Sequence, residues 1–213
     1  MQSHTPRLSR RLVLPVLLAA ALAPAIASAQ PAAAAQAPVR VRGTIETVTA
    51  DQLVVKDRSG QRVTLAVPPN VTVTEMYPVG RDAVKAGSFV GVGAMPQPDG
   101  SQKAIAVLVF PDAMRGTGEG HRPFDFLPQS TMTNATVAGD ATTSADGQHM
   151  KLTYPGGEKT IVVPPDAPIV SLRPGNRDLL VTGAGVSVTA QLVGDQPTAT
   201  RITAGRNGFS PPY

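Results

Sequence analysis

Residues 60–99 read GQRVTLAVPPNVTVTEMYPVGRDAVKAGSFVGVGAMPQPD, and residues 156–195 read GGEKTIVVPPDAPIVSLRPGNRDLLVTGAGVSVTAQLVGD. Laid over each other without a gap, at an offset of 96, they coincide at Gly60/Gly156, Thr64/Thr160, Val67/Val163, Pro68/Pro164, Pro69/Pro165, Pro78/Pro174 and Arg81/Arg177. The identities continue at Asp82/Asp178, Gly87/Gly183, Val90/Val186, Val92/Val188, Ala94/Ala190 and Asp99/Asp195, giving thirteen in forty positions. Unrelated segments of ordinary composition give about two or three. A fixed offset of this kind marks one folding unit used twice.

Working outward, the strand signals fall in the same order in both copies. In the first, Val39 to Val48, Gln52 to Lys56, Val63 to Val67, Val71 to Thr74, Phe89 to Ala94 and Ala104 to Val109 alternate branched with polar residues. Ser59-Gly60, Pro68-Pro69-Asn70 and Pro96 to Gly100 punctuate them, and Gly80 to Ala86 can supply one helical turn before Gly87. In the second, strands are expected near 136–142, 150–153, 159–163, 169–172, 186–192 and 200–204. Five or six short strands and one helical turn per copy predict an all-β protein built from two tandem small barrels of the OB or SH3-like kind. The first barrel is expected over residues 39–110 and the second over 134–206, with a C-terminal tail at 207–213. Each copy is expected to close its own apolar interior. Arg81-Asp82 and Arg177-Asp178 are expected to close the turn after Pro78 and Pro174 as acid–base pairs.

The first 29 residues have the pattern of an export signal: Arg7, Arg10 and Arg11, an apolar stretch from Leu12 to Ala27, and a small-x-small site at Ala27-Ser28-Ala29. Ser9 to Leu14 partly resembles the twin-arginine export motif and departs from it at Val13 and Pro15. The expected product starts near Gln30, in the periplasm or secreted, with a disordered lead over residues 30–38. The signal accounts for most of the formal charge of +4, because it holds three of the 19 basic residues and none of the 15 acidic ones. The remaining 16 basic and 15 acidic residues make no broad field for a polyanion, which argues against nucleic acid as a partner. No later segment is long and apolar enough to be a membrane-spanning helix. With no cysteine, disulfides, thiolate zinc sites and thiolate nucleophiles are excluded.

Residues 111–133 have no counterpart in the repeat and form a Gly/Pro-rich inter-domain loop. Phe110, Phe124 and Phe126 lie in or beside it with Met114 and Met132, so an ordered crossing between the barrels is expected. The string Pro111 to Pro123, with Ser130 to Thr136, carries a resemblance. Through it, residues 39–213 resemble an uncharacterised family of exported proteobacterial proteins with repeated small-barrel domains of unknown function. The resemblance implies an envelope location and a β-barrel-like domain; it brings no activity and no assigned residues.

Chemistry, if present, concentrates in the same loop. Arg115, Glu119, His121, Arg122 and Phe124 are the candidate binding residues. Glu119, His121 and Asp125, with Met114 and Met132, offer carboxylate, imidazole and thioether ligands for a metal cation. The competing expectation is that Glu119 and Asp125 pair with Arg115 and Arg122 and merely fix the loop. Gly116 to Gly120 lacks the Gly-Lys-Ser/Thr of a phosphate loop and is followed by Pro123, not by a helix start. His149 stands at a turn-to-strand edge, and Ser130 has neither a nucleophile elbow nor an oxyanion-hole pattern around it. No catalytic residues and no cofactor are assigned. The expected role is a non-enzymatic binding or envelope-scaffolding protein, its partner an envelope protein, a glycan or a small ligand; the alternative is a metal-handling protein using the loop.

Overall fold

The computed structural model describes residues 1–2 and 38–213. Apart from Met1, Gln2 and Pro38, the expected export signal and lead lie outside the described residues. The first copy of the repeat supplies β1 (Val39–Val48), β2 (Gln52–Asp57), β3 (Arg62–Ala66), β4 (Thr72–Pro78), β5 (Phe89–Pro96) and β6 (Gln102–Val109). A four-residue strand, β7 (Gly120–Pro123), follows. The second copy supplies β8 (Thr131–Ser144), β9 (Gly147–Tyr154), β10 (Gly157–Val163), β11 (Ile169–Pro174), β12 (Gly185–Val193) and β13 (Gln196–Ala204). Short 3₁₀ turns at Arg81–Ala83 and Arg177–Leu179 sit at matching places in the two copies, and a third lies at Asp112–Met114.

The fold is all-β, and two closed five-stranded rings can be traced through the pairing. One runs β1–β2–β3–β13–β12 and returns to β1. The other runs β5–β6–β10–β9–β8 and returns to β5. Each ring therefore takes three strands from one copy and two from the other. This corrects the expected boundaries: neither 39–110 nor 134–206 closes a barrel by itself. The interiors agree with the pairing. Ile45, Leu53 and Leu65 of the first copy share one buried cluster with Val186, Val188 and Ile202 of the second. Val90, Val92 and Val107 of the first share another with Val137, Leu152 and Ile161 of the second.

β4 and β11 carry the chain from ring to ring. Along the first crossing, Val73 belongs to the first interior, Met76 to a third cluster between the rings, and Val84 to the second interior. The return crossing runs from Ile169 in the second interior through Val170 to Leu179 and Leu180 in the first. A seven-residue strand spans about 23 Å at the usual rise, enough to leave one small barrel and enter its neighbour. The crossings pair antiparallel with Met76 opposite Leu172, two positions separated by the repeat offset itself. An approximate twofold axis thus passes between them.

The repeated Arg and Pro-Pro residues meet across the copies. Arg177 Nη1 donates to the Ala50 carbonyl at 2.6 Å, and its Nη2 donates to those of Val67 (3.0 Å) and Pro68 (2.6 Å). Reciprocally, Arg81 Nη2 donates to the Pro164 carbonyl at 2.6 Å. The expected acid–base closure within each turn is replaced by this clasp. Pro68 and Pro164 lie just beyond β3 and β10, where their carbonyls accept the turn N–H groups of Val71 and Ala167, and the arginine of the other copy adds a second donor to each.

Candidate functional site

The site begins with a bare strand face. Along β5, Val90, Val92 and Ala94 point into a ring interior, which leaves Gly91 and Gly93 on the outer face. A Cβ at Gly93 would stand 3.3 Å from the Tyr213 ring and 3.4 Å from that of Phe124; at Gly91 it would meet Asn134 Oδ1 at 2.8 Å. Glycine at both positions lets aromatic rings lie directly on the sheet. Phe110, Phe124, Phe126, Met132 and Tyr213 cover it, with Met76 and Val170 at the twofold axis. Phe124 meets Tyr213 edge-on at 5.5 Å and stacks on Phe126 at 6.1 Å. The Tyr213 hydroxyl donates to the Gly91 carbonyl at 3.3 Å, and burial pushes its phenol up. Residues 207–213, expected as a tail, are thus part of the packing.

Guanidinium groups from the neighbouring ring line the other wall. Arg42 lies 5.6 Å from the centre of Phe124 and 6.0 Å from that of Phe126, and Arg58 lies 4.4 Å above Phe126. Asp125 accepts from Arg42 at 2.7 Å and lies 3.7 Å from Arg40. Burial pushes the Asp125 carboxyl up, but the Arg42 hydrogen bond and the charges of Arg42 and Arg40 outweigh it and hold it below its ordinary value. Burial and the neighbouring Arg42 charge pull the Arg58 guanidinium down. Asp57, the other carboxylate nearby, is engaged in its own turn by the backbone N–H groups of Ser59 and Gln61.

Two cavities open along this groove and share Arg40. The smaller, about 230 Å³, has an apolar floor of Leu108, Phe110, Phe124 and Met132, with Arg122 and Asp125 at its wall. Asn134 also lines it, only 5% exposed. Its Nδ2 donates to the Thr117 carbonyl at 2.8 Å, while its Oδ1 has no hydrogen-bond partner among the described residues. The larger, about 360 Å³, lies between Arg40, Arg42, Arg58, Gln61 and Phe126. Arg42 Nε, which is buried, likewise lacks a partner among the described residues.

The loop residues expected to form a site are divided by strand geometry. β7 pairs with β8, placing His121 opposite Thr133 and Arg122 opposite Met132. Successive residues point to opposite faces, so Arg122 turns toward the groove and His121 away from it. His121 Nδ1 lies 2.8 Å from Thr133 Oγ1, and its ring is 6.5 Å from Tyr154. Burial first, and then the charge of Lys159, lowers its pKa. Arg115 donates to the Gly87 carbonyl and lies 3.5 Å from Asp112, while Arg122 donates to the Gly118 carbonyl. The expected pairing of Glu119 and Asp125 with Arg115 and Arg122 is therefore corrected. Glu119 is exposed, Asp125 belongs to Arg40 and Arg42, and Met114 and Met132 pack with the aromatics. Among the described residues no three His, Asp or Glu side chains gather as a metal site. Ser130 braces the loop, its hydroxyl within hydrogen-bonding distance of the Phe124 and Leu127 carbonyls.

Of the expected binding residues, Arg122 and Phe124 come together in the groove; Arg40, Arg42, Arg58, Asn134 and Tyr213 join them without having been singled out. One sequence signal could have found the place. At the offset of 96, Gly91 and Gly93 align with Ser187 and Thr189, so only one copy has the bare face. No protein-family model matches the chain, and no curated protein or solved structure does either. No helix among the described residues is long and apolar enough to cross a membrane.

Proposed function

We propose that the protein is a non-enzymatic binding module of the bacterial envelope, periplasmic or secreted, whose ligand face is the arginine–aromatic groove between the rings. The observation that carries this reading is the small cavity itself, an apolar and aromatic floor beside Arg40 and Arg122, with Asn134, whose buried Oδ1 is unpaired among the described residues, in its lining. A buried acceptor without a donor costs about 1–3 kcal/mol. Rigid rings on a sheet and guanidinium groups held over their faces form a preorganised surface, which loses little freedom on binding. The export-signal pattern and the family resemblance support the envelope location. Binding is favoured over catalysis because the one carboxylate lining the small cavity, Asp125, is tied up by Arg42 and Arg40, and the remaining lining is arginine, aromatic, apolar and amide.

The test is a fragment screen by NMR on the purified protein, with amide shift changes mapped onto the chain. Hits are expected to perturb β5, residues 120–134 and residues 209–213 together. Hits that map elsewhere, or a screen that perturbs nothing in the groove, would refute the reading.

A further inference from the structure

We propose that the 230 Å³ cavity receives the carboxyl-terminal residue of a peptide whose last side chain is apolar. This deepens the binding reading above and rests on it. Three features of the cavity have to be matched at once. Its floor is apolar and aromatic, from Leu108, Phe110, Phe124 and Met132. Its lining includes Asn134, whose Oδ1 lies over Gly91 without a donor among the described residues and whose amide is oriented because its nitrogen already donates to Thr117. Its rim holds two arginines and one carboxylate and is positive on balance. Asp125 is tied to Arg42 at 2.7 Å and lies 3.7 Å from Arg40, while among the described residues Arg122 has no carboxylate within ion-pair distance.

A ligand group must therefore present an apolar side chain, an N–H and a negative charge close together. The last residue of a peptide does so around a single Cα, with its amide N–H on one side and its carboxylate on the other. Capture of a terminal carboxylate by fixed donors is a recurrent mode of peptide recognition, and a guanidinium is the side chain best shaped for it. The volume sets the length inserted. Cavities that enclose a drug-sized molecule measure about 300–1,000 Å³, so this one fits a single side chain. The preceding residues would lie along the larger cavity, where Arg58 and Gln61 can donate to peptide carbonyls.

The probes are soluble hexapeptides ending in phenylalanine or leucine with a free carboxylate, the same peptides amidated, and one ending in aspartate. Calorimetric titration is expected to show binding of the first set, weakened about tenfold or more by amidation or by a terminal aspartate. Arg122→Gln, an exposed position, is expected to weaken binding about tenfold. His121→Gln, on the opposite face of the same strand, is expected to leave it unchanged. Equal affinity for amidated and free peptides, or no binding of either, overturns the assignment. If peptides fail while NMR fragments still map to the groove, the terminal-residue assignment falls and the groove stands. If neither perturbs the groove, both fall.

Discussion

Replacing Arg177 and Arg81 one at a time by methionine compares the same residue in two copies of one unit. Arg177 donates to three carbonyls, those of Ala50, Val67 and Pro68; Arg81 donates to one, that of Pro164. Methionine keeps most of the apolar stem and removes the donors. Both sites are half-exposed, so water recovers part of each loss, and a working value is about 1 kcal/mol per hydrogen bond. Arg177→Met should then cost about 3 kcal/mol and Arg81→Met about 1 kcal/mol. Arg177→Lys should fall between them, since one ammonium cannot reproduce a planar fork. The assay is urea unfolding followed by circular dichroism and, ring by ring, by methyl NMR. Because each ring contains strands of both copies, either loss should move one common transition. Equal losses for the two arginines, or two transitions of which only one moves, would refute the reasoning.

Three further outcomes follow from the same geometry. Glu75 accepts from Arg173 at 2.6 Å and from Arg206 at 3.3 Å, and these two bonds, Arg173 first, hold its carboxyl below the ordinary value. Its contribution is therefore full above the ordinary glutamate pKa and fades as pH falls through the lowered one; Glu75→Gln should show a shallower acid limb of stability against pH than wild type, and parallel limbs would contradict this. Leu65→Ala, at a fully buried position in the first ring, should cost about 2–5 kcal/mol in urea unfolding and release Leu152 of the second ring at the same urea concentration, whereas Leu152 holding its wild-type midpoint would disprove the coupling. Fragments 38–116 and 117–213 should each be unstructured alone by circular dichroism and regain the strand signal when mixed; a fragment that folds by itself would contradict the exchange of strands.

Strand positions were readable because branched residues alternate with polar ones and Pro or Gly closes each run, a local property. Which strand pairs with which was not. Val90, Val92 and Ala94 are the same residues as Val186, Val188 and Ala190, so either copy fills a ring interior equally well, and the pattern cannot say whose interior it fills. Arg81 and Arg177 face Pro164 and Pro68 for the same reason: contacts within and between copies use identical residues. The decision rests on whether β4 turns back or runs straight across, and that is a matter of connection geometry. The groove was half legible. Phe124 and Phe126 stood out in a loop with few other anchors, but Arg40 and Arg42 read as the solvent face of a half-buried strand. They became a wall only when the loop and residues 209–213 folded over them. β7 carries too few residues, with Gly and Pro at its ends, to signal a strand, and its alternation separates His121 from Arg122.

The exchange of strands between the two copies is tested most directly by cross-strand proton NOEs in isotope-labelled protein. The pairing places Val41 of β1 opposite Val188 of β12. NOEs should join Val41 and its neighbours to the strand around Val188 and be absent to the strand around Val92, the equivalent residue in its own copy. NOEs from Val41 to Val92 would show that each copy closes on itself and would contradict the exchange.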